Sequence, residues 1–437
     1  MLGLGGKRKP RFCVVGLDGV PIGLLQRLIA EGTMPRVGEI VGGGRLRQMR
    51  TTLPEISAVS WSSFMTGRDP GTHGIFGFVD FKPNSYAVRF PSFGDLKAPT
   101  LWDRLGQRGR RSVVINQPAT YPARRIEGAL ISGFVAVELR KAVWPMQLQP
   151  RLQKMGYQID VDTVRARDDH DLLLQELERT LRVHAQAAEW LWQQFEWDYF
   201  ELVITGTDRL HHYLWPALED NGHLRHQGAM NYYREVDAVV GELYQRFSAS
   251  CQDDPAASFL LLSDHGATGI SSEVYVNAWL RQEGFLHFEA EQPESLEQTS
   301  AGSRAFALEP ARLYLNKRGR FPQGCVGEDE AEDLKRELKQ GFEALEFEGR
   351  RVIAQVVDRS EAYSGPLAEQ APDLVLVPAR GFDLKASLRQ RSLFGRTVLT
   401  GMHTWDDAFC WTAAPVKEQP CITDLAPAIV AALTGEA

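Results

Sequence analysis

The sequence predicts an α/β protein with a mostly parallel central sheet, helices on both faces and a small inserted α+β subdomain. The first observation is a series of short apolar runs that end in polar residues and are separated by helical patterns. The second is that several runs are apolar at almost every position, as expected for strands buried on both faces of a parallel sheet. The third is a more charged segment, residues 271–350, that interrupts this alternation.

The predicted elements follow one another along the chain. Residues 22–32 repeat apolar side chains at helical spacing and stop at a glycine, and residues 101–109 do the same. Residues 170–197 form a long amphipathic pattern that fits one helix or two. The apolar runs predicted as strands are 12–19, 112–118, 129–134, 200–208, 258–266 and 372–378.

The charged segment has its own local pattern. Residues 311–324 suggest a pair of strands, and residues 328–345 suggest a charged helix. We therefore expect a core made of residues 1–270 and 351–437, and a cap-like subdomain over 271–350 near the site.

Composition excludes several classes of protein. The net charge of -7 over 437 residues leaves no basic footprint for nucleic acid. No apolar run approaches the roughly 18 residues of a membrane helix, and the first residues lack the features of a signal peptide. The five cysteines are odd in number and widely separated, which is not the pattern of a disulfide framework. We expect a cytoplasmic protein that acts on a small molecule, and the oligomeric state is left open.

Ionisable residues follow several of the predicted strands. Each has an ordinary explanation, such as a turn residue, a helix cap, a helical ion pair or a surface histidine. Together they would meet at the carboxyl edge of one sheet, where open α/β proteins bind ligands. Three carboxylates there need cations, and mixed carboxylate and imidazole ligands suit zinc or manganese better than magnesium or calcium. The residues are Asp18, Asp208, His212, Asp264, His265 and His403.

A hydroxyl-rich stretch, residues 57–66, offers a nucleophile. Ser57 precedes an apolar helical pattern that ends at Gly67, so we expect it at the N-cap. It could serve only as a cap. However, a helix N-terminus also attracts anions, and a metal-bound hydroxyl there would lose its proton more readily and attack phosphorus. The other serines lie inside the predicted helix and would point elsewhere.

Five motifs in order carry a family resemblance: GLDG, ISAVSWSSFMTGRDPGTHGIFGF, TGTDRLHHYLW, LLSDHG and GMHTWDD. They resemble the alkaline phosphatase superfamily, and most closely its type I phosphodiesterase/nucleotide pyrophosphatase group, including bacterial phosphohydrolase/phosphomutase-like members. The resemblance runs from about residue 12 to the last helix. It implies an alkaline-phosphatase-like fold and two divalent metal ions, usually zinc with manganese as the alternative. It also implies cleavage of a phosphate ester through a covalent phospho-enzyme.

The resemblance assigns roles to individual residues. Ser57 would be the nucleophile, and the D-x-x-x-H spacing selects His212 over His211. Asn116 follows a strand and could donate to the phosphate. One metal would be held by Asp18, Ser57, Asp264 and His265, and the other by Asp208, His212 and His403.

The chain also departs from the group. Threonine is common at the nucleophile position, and the last motif commonly reads GTH where this chain has Gly401, Met402 and His403. The C-x-P-S-R pattern of sulfatases is absent. No arginine closely follows Ser57, which favours diesters over monoesters. We expect a phosphodiesterase or nucleotide pyrophosphatase. The alternatives are a phosphomonoesterase or phosphomutase, and a protein that binds a phosphorylated ligand without turnover.

Overall fold

The structure is a computed structural model that describes residues 11–42, 45–251, 257–396 and 398–435. The first ten residues lie outside the described residues. They belong to the stretch in which we expect no signal peptide. No helix among the described residues is both long and apolar enough to cross a membrane.

Strands and helices alternate over much of the described chain. The strands are β1 (Phe12–Leu17), β2 (Leu46–Met49), β3 (Asp80–Phe81), β4 (Val88–Arg89), β5 (Ser112–Gln117), β6 (Gly128–Ser132), β7 (Val143–Trp144), β8 (Tyr199–Ile204), β9 (Ser258–Leu262), β10 (Gly266–Gly269), β11 (Ser272–Tyr275), β12 (Ala305–Leu308), β13 (Arg312–Leu315), β14 (Glu346–Phe347), β15 (Arg350–Arg351), β16 (Ile353–Asp358), β17 (Leu374–Pro378), β18 (Phe382–Lys385), β19 (Phe394–Gly395), β20 (Gly401–Thr404) and β21 (Ala408–Thr412). The helices are α1 (Ile22–Ala30), α2 (Pro35–Val41), α3 (Ser57–Thr66), α4 (Pro70–His73), α5 (Leu101–Gln107), α6 (Gln149–Met155), α7 (Thr163–Ala166), α8 (His170–Gln194), α9 (Gly206–Glu219), α10 (His226–Ser250), α11 (Val276–Gln282), α12 (Glu328–Glu343), α13 (Arg359–Ala362) and α14 (Leu425–Thr434).

A sheet of eight strands forms the centre of the molecule. Its order is β2-β21-β9-β1-β8-β5-β6-β7. The five adjacent strands from β9 to β6 run parallel to one another, and β2, β21 and β7 pair antiparallel at the edges. The predicted mostly parallel sheet is therefore confirmed. Every residue of β1, β5, β8 and β9 is buried, which explains why these runs are apolar rather than alternating.

Helices cover both faces of this sheet. On one face, Val15 of β1 belongs to a core cluster with side chains of α1, α2, α8, α9 and α10. On the other face, Val14 packs in a cluster with side chains of α3, α5 and α14. The long pattern at 170–197 is one helix, α8, which ends at Gln194. Each fully buried leucine or valine in these layers stabilises the fold by about 1.5–3 kcal/mol.

A second region packs around its own core. It contains the sheet β12-β13-β17-β16, the sheet β18-β11-β19, and helices α11 and α12. The sequence assigned residues from 351 onward to the main core, but β16 and β17 pair in this second region and the chain returns to the central sheet only at β21. Buried apolar strands have the same composition whichever sheet they join, so the sequence could not place them. The cap-like role of this region stays a prediction.

Candidate active site

Three adjacent strands deliver the carboxylates of the site. In the order β9-β1-β8, all parallel, the carboxyl ends lie at one edge of the sheet. Asp18 directly follows β1, Asp264 follows β9 by one residue, and Asp208 is in the first turn of α9 after β8. The side chains of all three are at most 6% exposed. The sheet topology therefore brings together residues that are far apart in sequence.

The three histidines lie at the same edge of the sheet but belong to different elements. His265 follows Asp264, and His212 lies one helical turn after Asp208 on α9. His403 is on β20, which pairs antiparallel with β10 so that His403 stands opposite Ala267. All six of the metal-ligand candidates other than Ser57 thus lie at one edge of the sheet, and their role as ligands stays a prediction.

Ser57 is the only serine of α3 whose hydroxyl faces this cluster. Its Oγ donates to Asp18 Oδ1 at 3.3 Å and lies 3.2 Å from His265 Nε2. The prediction that Ser57 is the N-cap is wrong: Ile56 is the N-cap, because its backbone is still extended, and Ser57 is the first helical residue. The other serine hydroxyls of α3 bond elsewhere: Ser60 to Thr51, Ser62 to the carbonyl of Ala58, and Ser63 to Thr52 and His73.

The ligand atoms form two compact groups. Asp208 Oδ1, His212 Nε2 and His403 Nε2 lie 3.0–3.3 Å from one another. His265 Nε2 lies 3.5 Å from both Asp18 Oδ1 and Asp264 Oδ2. The rings of His265 and His403 stack with centroids 3.8 Å apart, so the two groups adjoin. His265 is also close enough to join Asp208 and His403 in one group within 4.8 Å.

Hydrogen bonds orient all three imidazoles in the same way. The Nδ1 atoms donate to backbone carbonyls: His212 to Gly401 at 2.9 Å, His265 to Gly266 at 2.9 Å and His403 to Glu55 at 2.8 Å. In a neutral imidazole this leaves Nε2 unprotonated. Burial lowers the pKa of His212 below its ordinary value and lowers the pKa of His403 to about 4, so both rings are neutral near pH 7. Two Nε2 lone pairs then face each other across 3.0 Å.

The carboxylates carry more negative charge than the protein side chains offset. Burial, and then the charges of Asp264 and Asp208, raise the pKa of Asp18. Burial is also the main cause that raises the pKa of Asp264 to about 8. Burial alone would raise the pKa of Asp208, but the positive charge of the two histidines when they are protonated, and that of Arg209, hold it well below its usual value. Without added cations, these three groups could not all be ionised at neutral pH.

The residues present fit divalent cations. Three imidazole Nε2 atoms and three buried carboxylates are the donor set of zinc and manganese sites. A tetrahedral site with bonds of about 2.0–2.1 Å has ligand atoms about 3.3–3.5 Å apart, close to the spacing around Asp208 and His403. A cation between the facing Nε2 atoms would turn their repulsion into coordination.

The hydrogen bonds that support the candidate ligands could hardly be predicted from the sequence. Trp61 Nε1 donates to Asp18 Oδ2 at 3.0 Å, and Thr207 donates to the carbonyl of Asp18 at 2.6 Å. Gly19 donates its N–H to Asp264 and has φ +71, and a Cβ there would lie 3.1 Å from Asp208 and from His265. In the sequence, the second glycine of the GLDG motif, Gly19, is the indication of these contacts, because glycine allows a close approach of the backbone.

Arg209 also lies against the site. Its Nη1 is 3.3 Å from Asp208 Oδ2, and its Nη2 is 2.7 Å from Asp160. The guanidinium stacks 4.1 Å from the ring centroid of Phe134. These long-range contacts cannot be deduced from the neighbouring positions of Asp208 and Arg209 in the chain.

Two other residues considered from the sequence lie outside the ligand groups. His211 bonds through Nε2 to the hydroxyl of Tyr233 at 2.6 Å, on the other side of α9 from His212. The side-chain amide of Asn116 is fully buried and donates to the carbonyl of Val203 at 3.0 Å and to Thr205. The Nδ2 atom of Asn116 is therefore occupied by residues at the end of β8, and its role in binding phosphate stays a prediction.

Comparison with known proteins places the chain in a family. Residues 12–406 match the family described as type I phosphodiesterase/nucleotide pyrophosphatase. No match was found among curated proteins. Phosphonoacetate hydrolase from Sinorhizobium meliloti 1021, solved with phosphonoacetate, is similar in fold, with 18% identity, a TM-score of 0.64 and coverage of 98% of this chain and 96% of that one.

A second solved structure is murine ectonucleotide pyrophosphatase/phosphodiesterase 5. Its inactive variant in complex with AMP has 14% identity, a TM-score of 0.55 and coverage of 97% of this chain and 95% of the murine chain. Both likenesses agree with an alkaline-phosphatase-like α/β fold. The family is metal-dependent, which agrees with two clusters of side chains that could hold a metal ion, Asp208 with His265 and His403, and Asp18 with Asp264 and His265. The chain belongs to the type I phosphodiesterase/nucleotide pyrophosphatase family and is a phosphoric ester hydrolase.

Proposed function

We propose that this protein hydrolyses phosphodiesters of small molecules, in the manner of a phosphodiesterase or nucleotide pyrophosphatase, through a covalent phospho-Ser57 intermediate at a site of two metal ions. One metal would be held by Asp18, Ser57, Asp264 and His265, and the other by Asp208, His212 and His403. Zinc is the proposed metal, with manganese as the alternative.

The observation that carries this proposal is the pair of facing imidazoles. His212 and His403 each donate Nδ1–H to a carbonyl, and their Nε2 atoms meet at 3.0 Å beside a carboxylate oxygen. The lone pairs of the two Nε2 atoms repel each other unless a cation lies between them. A structural role alone would favour a hydrogen bond in place of two facing acceptors.

The chain's own residues then suit attack on phosphorus. Ser57 Oγ sits at the N-terminus of α3, where free backbone N–H groups and the helix dipole favour an anion. The Ser57 Oγ–P bond would form as the bond from phosphorus to the leaving oxygen breaks. Water would then cleave the phospho-serine and restore the hydroxyl. When bound, the two cations would neutralise the carboxylates and the phosphoryl oxygens and lower the pKa of the serine hydroxyl.

Replacing the nucleophile tests the proposal directly. Ser57→Ala should lower kcat for bis-p-nitrophenyl phosphate by more than about 10³-fold, because no other α3 hydroxyl faces the cluster. The matched control is Ser62→Ala, which removes a buried hydroxyl from the same helix that bonds only to the carbonyl of Ala58. Activity at the wild-type level in Ser57→Ala would show that another group attacks the phosphate.

Arg209 favours a second candidate, a phosphomonoesterase. The sequence argued for diesters because no arginine follows Ser57 closely, yet Arg209 lies 3.3 Å from Asp208. Its guanidinium is mostly engaged by Asp160, which is why the diester proposal comes first. Comparing kcat/KM for bis-p-nitrophenyl phosphate and p-nitrophenyl phosphate ranks the two. A higher value for the monoester would reverse the order.

The cysteines support a reducing compartment. The five thiols are free in the structure. We therefore place the protein in the cytoplasm. Recovery of the activity with a periplasmic or secreted fraction of the source cells would contradict this location.

A further inference from the structure

A small pocket adjoins the edge of the ligand cluster formed by His212 and His403. It has a volume of about 100 Å³ and lies between the main core and the second region. The core contributes Glu55 together with the two histidines, and β18 contributes Asp383 and Lys385. Whatever group leaves the phosphorus on the side of His403 would enter this pocket.

The size of the pocket limits what it can hold. Pockets for drug-sized ligands are about 300–1,000 Å³. A space of about 100 Å³ accepts a group of only a few heavy atoms and is too small for a nucleoside. The pocket therefore suits a short-chain group on this side of the site.

The charges around the pocket favour a cation. Asp383 Oδ2 and Lys385 Nζ pair with each other at 2.7 Å, so the one ammonium in the lining is already engaged. Glu273 is buried behind them and accepts a hydrogen bond from Tyr275. Counting Glu55, three acidic side chains surround one ammonium group.

Glu55 supplies an unused acceptor. The residue is 6% exposed, and its Oε2 is buried without a hydrogen-bond partner among the described residues. Its backbone carbonyl accepts the Nδ1–H of His403, which fixes the residue at the edge of the ligand cluster. A buried carboxylate oxygen without a partner costs free energy that a bound N–H donor would remove.

We propose that this pocket binds the ammonium group of a short amino alcohol, which is the leaving group of the phosphate ester, and that Glu55 accepts its hydrogen bond. This inference rests on the proposed function and narrows it to aminoalkyl phosphodiesters, away from nucleotide anhydrides. The bond from Ser57 Oγ to phosphorus forms while the bond from phosphorus to the aminoalkyl oxygen breaks. The proton of the Ser57 hydroxyl passes through water to the leaving oxygen, and the amino alcohol departs. A water molecule then hydrolyses the phospho-serine, giving its oxygen to the phosphate product and a proton back to Ser57 Oγ.

The test compares two esters of similar size, one of which carries an ammonium group on the leaving chain. For the zinc-loaded protein, kcat/KM should be at least about tenfold higher for methyl 2-aminoethyl phosphate than for methyl propyl phosphate, which is close in size. Glu55→Gln should bring this ratio close to one. The matched control is Glu283→Gln, an exposed residue at the end of α11, which should keep the wild-type ratio.

A second variant tests the sign of the charge. Lys385→Met removes the ammonium that occupies Asp383, so the ratio should rise above the wild-type value. If the pocket instead binds an anion through Lys385, this variant would lower activity on anionic esters and leave the ratio unchanged, which would overturn the proposal.

Other outcomes also decide the question. A wild-type ratio near one, or a preference for the amine that persists in Glu55→Gln, would overturn the inference while the proposed function stands. A third metal ion per chain that is lost in Glu55→Gln would overturn it as well. If no phosphodiester is hydrolysed, including bis-p-nitrophenyl phosphate, the proposed function fails. Calorimetric titration with ethanolamine and with propanol then tests the pocket by itself. Selective binding of ethanolamine that is lost in Glu55→Gln supports the proposed ammonium pocket, and a lack of selective binding overturns it.

Discussion

A buried glutamate in the central sheet should make the protein less stable as the pH rises. Glu201 lies on β8, is fully buried, and its Oε2 accepts a hydrogen bond from the hydroxyl of Tyr199 at 2.5 Å. Its Oε1 has no partner among the described residues. Burial raises the pKa of Glu201 from the ordinary 4.5 to about 8, and the bond from Tyr199 opposes this only in part.

The raised pKa sets the direction and size of the effect. Between pH 4.5 and 8 the folded protein keeps a proton on Glu201 that the unfolded chain loses, so the free energy of unfolding falls as pH rises. Below pH 4.5 both states are protonated and Glu201 carries no penalty. About 3.5 pH units at about 1.4 kcal/mol each amount to about 5 kcal/mol lost by pH 8.

Glu201→Gln removes this titration while keeping the shape of the side chain. We expect the variant to match the wild type in stability near pH 5 and to exceed it increasingly up to pH 8, by as much as about 5 kcal/mol. Unfolding temperatures of both proteins at four pH values from 5 to 8 measure the gap, and all other groups titrate alike in the pair. The matched control is Glu196→Gln, just before β8, whose side chain is 91% exposed. A gap that stays constant or narrows with rising pH would refute the reasoning.

The remaining predictions concern the metal site. His403→Ala should lower the metal content from two ions to about one per chain and kcat by more than about 10²-fold, whereas His287→Ala, at an exposed position, should keep both ions. Trp61→Phe keeps the buried ring but loses the bond to Asp18 Oδ2, so we expect metal affinity to fall about 10- to 100-fold in a titration with zinc. Thorough chelation should abolish hydrolysis of bis-p-nitrophenyl phosphate, and zinc or manganese should restore it; activity that survives chelation would contradict the metal assignment.

Much of the site could be predicted because its residues directly follow strands. Asp18 and Asp264 end runs that are apolar at almost every position, and parallel strands place their carboxyl ends together. The choice of His212 over His211 followed from the D-x-x-x-H spacing of the family resemblance, and the contact of His211 with Tyr233 agrees with it. The placement of Asp18 and Asp264 needs only the local period of the chain and the rule for parallel sheets.

Contacts between residues that are far apart in the chain could not be predicted from the sequence. The strands at 353–358 and 374–378 are apolar enough for the central sheet, and only pairing with β13 shows that they belong elsewhere. Arg209 is adjacent to Asp208 in the chain, but its contact with Asp160 depends on how residues 143–167 fold over the site. Ser57 was predicted one position too early, at the N-cap, because the residue type of Ile56 does not show that its backbone is extended.

The pairing of β20 with β10 has a consequence for how the enzyme matures. His403 is synthesised after the whole second region, whereas every other ligand precedes residue 266. A nascent chain that has not yet delivered β20 can gather Asp18, Asp264 and His265 but lacks one donor of the other group. In the proposed two-metal site, full metal loading would therefore report that the last strands have docked, and a truncated chain would be recognisable by a site that is half filled.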